Sequence, residues 1–247
     1  GGSKDNTVNI VQKKIKDYGK KLNVKLIKKN GNRSVGRNEA IRHSMGEIIL
    51  TSDAGCILDK DWVKNIIKPF KDKSVSVSSG FYHAITKNVF EKCLSTYTCV
   101  MDDKVNVDEF LPSSRSVAFR KSAWEKVGGY PEDLDTCEDL VFDKNLKSKG
   151  LKFKFSKDAF VYWPQRENIW QATKQFFNYA VGDGRARFFR PQTPYLFLRY
   201  IFGLYLLFLI PIMKSYLLIT LCFTLLILYC IWSILKTGGG EGTPIIT

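Results

Sequence analysis

Tyr216 to Leu235 forms an apolar run without a single charge, the length of helix that a bilayer core of about 30 Å requires. Just before it, Tyr200 to Met213 is similarly apolar, and reaches spanning length only by including Arg199. An arginine near the end of a span can snorkel its head group to the interface. Only Lys214-Ser215 separates the two runs, so a tight transmembrane hairpin over 200–235 is expected. One span with a re-entrant or interfacial segment is the alternative, and a buried soluble hairpin the reading without a membrane. Arg185, Arg187, Arg190 and Arg199 crowd the entrance, whereas Lys214 stands alone in the turn. The excess of cations before the first run places the preceding domain on the cytoplasmic face of a multi-pass cell-membrane protein. Residues 186–199 read as a basic juxtamembrane linker and 236–247 as a tail.

The remaining 185 residues suffice for one α/β domain. Residues 5 to 18 carry apolar Val8, Ile10, Val11 and Ile15 at helical spacing. Val24 to Ile27 reads as a short strand, Gly31 to Val35 as a polar loop, and Arg37 to Met45 as a helix closed by Gly46. Glu47 to Ser52 is a continuous β-prone run of the kind found in a buried parallel strand. A helix with Trp62, Val63, Ile66 and Ile67 and a strand over 74–79 follow. This alternation predicts a mostly parallel sheet flanked by helices. Further on, the pattern predicts helices over 87–101, 138–148 and 168–180, and strands over 113–119 and 151–155. In a parallel sheet, ligands bind outside the carboxyl ends of the strands, where Asp53 falls.

The formal net charge is +14, which favours a polyanionic partner: nucleic acid, an anionic membrane or phosphorylated substrates. The lysines are scattered, and no aromatic-basic platform for single strands is present, so no nucleic acid is expected. The six cysteines make no C-x-x-C pair and read as reduced structural thiols.

Two acidic positions carry candidate chemistry. In Thr51-Ser52-Asp53-Ala54-Gly55, a carboxylate at a strand end is followed by small residues that let a nucleotide or metal approach the backbone. The same Asp could instead cap a turn. In Thr136-Cys137-Glu138-Asp139, two carboxylates sit where a loop enters a helix. The helix N-terminus favours their ionised form, and one could act as general base toward an acceptor hydroxyl. An ordinary N-terminal helix charge is the alternative.

The succession of Gly2-Ser3-Lys4-Asp5-Asn6-Thr7, Arg37-Asn38, Gly46-Glu47, Asp53-Ala54-Gly55, Gly128-Gly129-Tyr130-Pro131-Glu132, Glu138-Asp139 and Gly150 resembles the family 2 glycosyltransferases, over residues 1 to about 185. The resemblance implies a GT-A fold and inverting transfer of a sugar from a nucleoside diphosphate sugar to a membrane-proximal or lipid-linked acceptor. It implies that Asp53 contacts the nucleotide and a divalent Mg²⁺ or Mn²⁺, with Ala54, Gly55, Arg37 and Asn38 lining the donor site. By the same resemblance Asp139 takes the acceptor proton, Glu138 shapes the acceptor site, and the 128–132 turn lies near donor and acceptor. Arg115, Arg185 and His83 are candidates for acceptor or phosphate contacts, and 179–185 for either a Gly-hinged linker or a loop over the phosphates.

The chain departs from the family pattern in three ways. Gly55 stands where the second metal-binding acid is expected. The family's first strand and nucleotide-binding acid would precede Gly1, so an N-terminally truncated domain is expected. Gln165-Arg166-Glu167-Asn168-Ile169-Trp170 has the residues of the processive synthases' Gln-x-x-Arg-Trp motif at the wrong spacing, against a processive enzyme. A membrane-tethered basic module that binds lipid or nucleic acid without catalysis, and a nucleotidyltransferase, are the competing readings.

Overall fold

The computed structural model describes residues 3, 5–18, 23–100, 105–191, 193–213 and 216–238. Gly1, Gly2, Lys4, the expected helix stop at Gly19, the helix end at Met101, the Lys214-Ser215 turn and the tail from 239 lie outside the described residues.

Among the described residues, five strands form one mixed sheet in the order β1-β4-β3-β5-β2. They are β1 (Ile48–Thr51), β2 (Ile57–Leu58), β3 (Val75–Ile85), β4 (Val117–Arg120) and β5 (Lys152–Pro164). The α/β fold class is as expected, but only β3 and β5 pair in parallel; β4 is inserted antiparallel between β1 and β3, and β2 pairs antiparallel with β5. Alternating helices and strands in a sequence do not reveal that a later strand will enter between two earlier ones in the opposite direction.

The period-2 geometry of strands divides the core into two layers. Val117 and Phe119 of β4 point into a cluster with Ile41, Ile49, Trp124, Tyr130 and Phe142. Ala118, between them, points to the other face, where Trp62, Ile66, Phe70 and Val161 pack. Each fully buried large side chain contributes roughly 1.5–3 kcal/mol.

The helices before residue 186 are α1 (Thr7–Tyr18), α2 (Arg33–Arg42), α3 (Trp62–Ile67), α4 (Val89–Thr98), α5 (Lys121–Lys126), α6 (Glu138–Ser148) and α7 (Ile169–Arg185), and side chains of α2, α3, α5 and α6 enter the two core clusters. The apolar positions of α1 remain unburied. Residues 23–30 form no strand, and α2 begins four residues earlier than its apolar pattern suggested. Its start is set by Asn32, whose side chain accepts from Val35 N at 3.0 Å; this caps an otherwise unpaired backbone donor. Residues 179–185 are the last turns of α7 rather than a loop.

Two apolar helices follow, α8 (Thr193–Met213) and α9 (Tyr216–Gly238). Among the described residues only α8 is long and apolar enough to cross a membrane by length and composition; the apolar stretch of α9, Ile219–Trp232, is shorter. The expectation of two full spans therefore contracts to one candidate span. Arg199 of α8 lies over the Tyr229 ring of α9 at 5.2 Å, which gives the charge near the apolar run a partner.

Candidate functional site

Asp53 follows β1 by two residues, and its position is fixed from α2. Arg37 Nη2 donates to Asp53 Oδ1, while Nη1 donates to Glu138 Oε1 at 2.8 Å. Glu138 begins α6, is 2% exposed, and also meets Arg33 at 3.5 Å. One guanidinium thus ties together the two acidic motifs, 85 residues apart in the chain. Burial pulls the Arg37 pKa down, but Asp53, Tyr130 and Glu138 outweigh this and hold it above its ordinary value. A charge buried among such partners stays charged.

Asp139, half-buried, follows Glu138 at the α6 N-terminus. Its Oδ1 accepts from Leu140 N at 2.9 Å, and its Oδ2 from Ser113 Oγ at 3.3 Å. Ser113 Oγ in turn accepts from Arg115 Nη1 at 2.7 Å. Arg115 stacks 3.8 Å from the Trp163 ring centre and lies 5.4 Å from that of Tyr82. One turn along α6, Asp143 is fully buried, and its Oδ2 has no hydrogen-bond partner among the described residues. Burial, reinforced by Asp139, pushes its carboxyl well above the usual carboxylate range.

A cavity of about 810 Å³ opens between α2, the end of β1 and α7. Its wall includes the cations Lys29, Arg33, Arg37, Arg115, Arg166 and Lys174 against the carboxylates Glu39 and Asp53. Such an excess of positive charge suits a polyphosphate. Asp53, Ala54, Arg37 and Arg115 lie in this wall, while Asp139 adjoins it through Ser113 and Arg115.

The other expected site residues are elsewhere. Asn38 is 1% exposed in the core. Its Nδ2 donates to Tyr130 O and Glu132 Oε1, and its Oδ1 accepts from Trp124 Nε1 and Tyr130 N, at 2.8 to 3.0 Å. Those four bonds exhaust an amide side chain, so Asn38 holds the 128–132 turn instead of a donor. Gly129, at φ +85°, permits this: a Cβ there would come within 2.8 Å of Asn38 Oδ1 and Trp124 Nε1. His83 packs on β3 among Phe81, Phe160 and Tyr162. Arg185 pairs with Asp135 at 3.3 Å, and Arg190 with Asp183 at 2.7 Å. Arg185, expected to contact acceptor or phosphate, is therefore paired within the protein, as is Arg190 of the basic stretch before α8.

Sequence reasoning missed Trp163 and Gln175 in the cavity wall, and named Tyr179 only as the start of the 179–185 stretch. Neither missed residue belongs to a motif: Trp163 comes from β5, and Gln175 and Tyr179 from α7, which packs against the loop before α6. That packing depends on Gly182, where a Cβ would come within 2.1 Å of Thr136 Oγ1 and 2.8 Å of Thr136 O. Gly182→Ala is expected to lower stability by about 1–3 kcal/mol through overpacking, which chemical denaturation measures.

As to a metal, among the described residues no group of three or more His, Cys, Asp or Glu side chains gathers at one point. The carboxylate of Asp53, 27% exposed at the cavity wall, nonetheless fits Mg²⁺ or Mn²⁺, since such ions take one or two carboxylates together with substrate phosphates.

Residues 1–125 match the family model "Glycosyl transferase family 2". The O-antigen chain rhamnosyltransferase RfbN of Salmonella typhimurium is 25% identical over 187 residues, covering 67% of this chain and 57% of that protein. The chain thus spans little more than half the length of the curated relative it matches. Among solved structures, the mannosyltransferase PcManGT from Pyrobaculum calidifontis, in complex with GDP-Man and Mn²⁺, has a TM-score of 0.64 at 18% identity, covering 95% of this chain and 72% of that one. S. aureus TarS 1-349 in complex with UDP-GlcNAc has a TM-score of 0.50 at 21% identity, covering 68% and 48%. At these identities the structural likeness establishes the fold.

Proposed function

Because the chain belongs to glycosyl transferase family 2, we propose that it moves a sugar, with inversion, from a nucleoside diphosphate sugar to a membrane-proximal or lipid-linked acceptor. The observation that carries this reading is the cation-rich cavity with Asp53 in its wall and Asp139 bonded through Ser113 to a wall arginine. Solved relatives of the same fold hold GDP-Man with Mn²⁺ and UDP-GlcNAc.

In this mechanism Arg37, Arg115 and the neighbouring cations hold the donor diphosphate and offset the charge that grows on it as the sugar leaves. Asp53 would hold a divalent ion together with the donor phosphates. When bound, that ion supplies further stabilisation of the leaving group as a Lewis acid. Asp139 takes the proton of the acceptor hydroxyl, which is a weak nucleophile until deprotonated. Arg37 keeps Glu138 fixed, and with it the first turn of α6 that carries Asp139.

Residues 1–185 would form the catalytic domain and α8 its anchor. Support for a nearby membrane comes from α7, which precedes α8 in the chain and exposes Trp170 (81%) and Phe177 (67%), neither of them in the cavity wall. Aromatic side chains suit a bilayer interface. A cytoplasmic orientation rests on the cations before α8.

The test uses the full chain in detergent with a panel of nucleoside diphosphate sugars and Mn²⁺ or Mg²⁺. The expected result is release of the nucleoside diphosphate from one donor; no release from any donor, and no binding of any nucleoside diphosphate, would overturn the proposal. Asp53→Ala is expected to weaken nucleoside diphosphate binding about tenfold (~1.4 kcal/mol) when Mn²⁺ is present. In chelator the loss should vanish, because removing the carboxylate also frees Arg37 for phosphate. Calorimetry in both buffers reads the difference, and unchanged affinity in Mn²⁺ would exclude the metal role.

A further inference from the structure

The hydroxyl of Tyr179 is oriented by an unambiguous chain of donors. Arg166 Nε lies 2.8 Å from Gln175 Oε1. A guanidinium only donates, so this contact fixes which end of the Gln175 amide is oxygen. The other end, Nε2, therefore donates, and it lies 3.0 Å from the Tyr179 hydroxyl oxygen. Arg115 Nη2 approaches the same oxygen at 3.4 Å, also as a donor. The phenol oxygen thus accepts from both neighbours, and its own hydrogen is given to neither.

That hydrogen belongs to a half-buried side chain in the cavity wall, with Lys174, Arg115 and Arg166 also in the wall. These three cations attract an anion but have no lone pair to receive the phenolic hydrogen. A ligand that satisfies all of them at once carries several anionic oxygens.

We propose that Tyr179 donates its phenolic hydrogen to an oxygen of the diphosphate that leaves the donor sugar. The inference rests on the reading of the cavity as a nucleoside-diphosphate-sugar site, and adds to it a neutral donor on α7. Arg115 has two roles on this view: one nitrogen orients Tyr179 and the other holds Ser113, the hydroxyl that donates to Asp139. Leaving-group contact and base orientation then share one guanidinium, clamped on Trp163. No bond is made or broken at Tyr179; its hydrogen bond strengthens as negative charge moves onto the diphosphate.

The experiment compares binding of inorganic pyrophosphate, by calorimetry, to the full wild-type chain and to Tyr179→Phe, both in detergent with Mg²⁺. Tyr179→Phe keeps the ring and removes only the hydroxyl. A roughly ten- to hundredfold weaker affinity is expected, about what one hydrogen bond to a charged group contributes. In turnover, kcat should fall while the KM of the acceptor stays the same, a split that a merely structural role would not produce. Wild-type and Tyr179→Phe chains that bind pyrophosphate equally would overturn the proposal while leaving the donor-site reading intact. Absence of pyrophosphate binding by the wild-type chain would overturn the donor-site reading and this inference with it.

Discussion

Replacing Asp139 with Asn is expected to slow sugar transfer by about 10²–10⁴-fold, the usual contribution of a positioned general base, while leaving donor binding unchanged. The substitution keeps the size of the side chain. An asparagine can still accept from Ser113 and from Leu140 N through its one oxygen only in turn, whereas Asp139 accepts from both at once through separate oxygens. The fold should tolerate this loss, since Asp139 is half-buried and outside the two core clusters. Its chemical deficit is larger, because an amide does not take a proton from a sugar hydroxyl near neutral pH. Single-turnover transfer measured beside calorimetric nucleoside diphosphate binding separates the two effects. Transfer at near wild-type rate would mean that another group removes the proton.

Asn38→Ala is expected to have the largest effect on stability. It removes four hydrogen bonds at once and leaves Trp124 Nε1, Tyr130 N and Tyr130 O in the core without their partner. Each buried group left unpaired costs about 1–3 kcal/mol, so a loss of about 3 kcal/mol or more should follow. For a chain of this size that corresponds to a fall in Tm of roughly 6–12 °C, readable by calorimetry. The Gly128 to Glu132 turn should loosen with it, because Asn38 is bonded to both Tyr130 and Glu132. An unchanged Tm would show that water or a neighbouring side chain replaces the amide.

The two variants mark what a sequence can and cannot reveal here. Asp53 and Asp139 stand out because strand ends and helix starts leave local signatures: a β-prone run before one, a loop-to-helix transition around the other. Asn38 stands beside Arg37 in the same short motif, yet α2 turns them in different directions, Arg37 to the cavity wall and Asn38 to the core. Adjacent helical residues do not share a face, and an unplaced helix start hides which face is which. The start at Arg33 was obscured because α2 is polar and its cap, Asn32, looks like loop.

Sheet direction was hidden for a different reason. The β4 run is legible as a strand, but its direction depends on where it enters the sheet, antiparallel between β1 and β3, and no local pattern reveals that. The Arg166-Gln175-Tyr179-Arg115 chain lay further still from view. It joins the segment before β4 and the segment after β5 to α7 through contacts separated by up to 64 residues, and nothing local in any of those segments announces the others. Gln165 to Trp170 did suggest a relation to the processive synthases. In the structure, Gln165 is buried and receives a bond from Thr98, while Arg166 reaches the cavity wall.

The two-sidedness of α7 limits how this chain can change in length. Each residue advances an α-helix by about 100°, so inserting one residue before Gln175 would turn Tyr179 away from Arg115 and bring Phe177 toward the cavity. Gly182 would leave its place against Thr136 in the same movement. Drift in length among descendants of this chain should therefore collect after Arg185, in the short stretch before Thr193, where an added residue alters the reach to α8 without rotating the wall of the cavity.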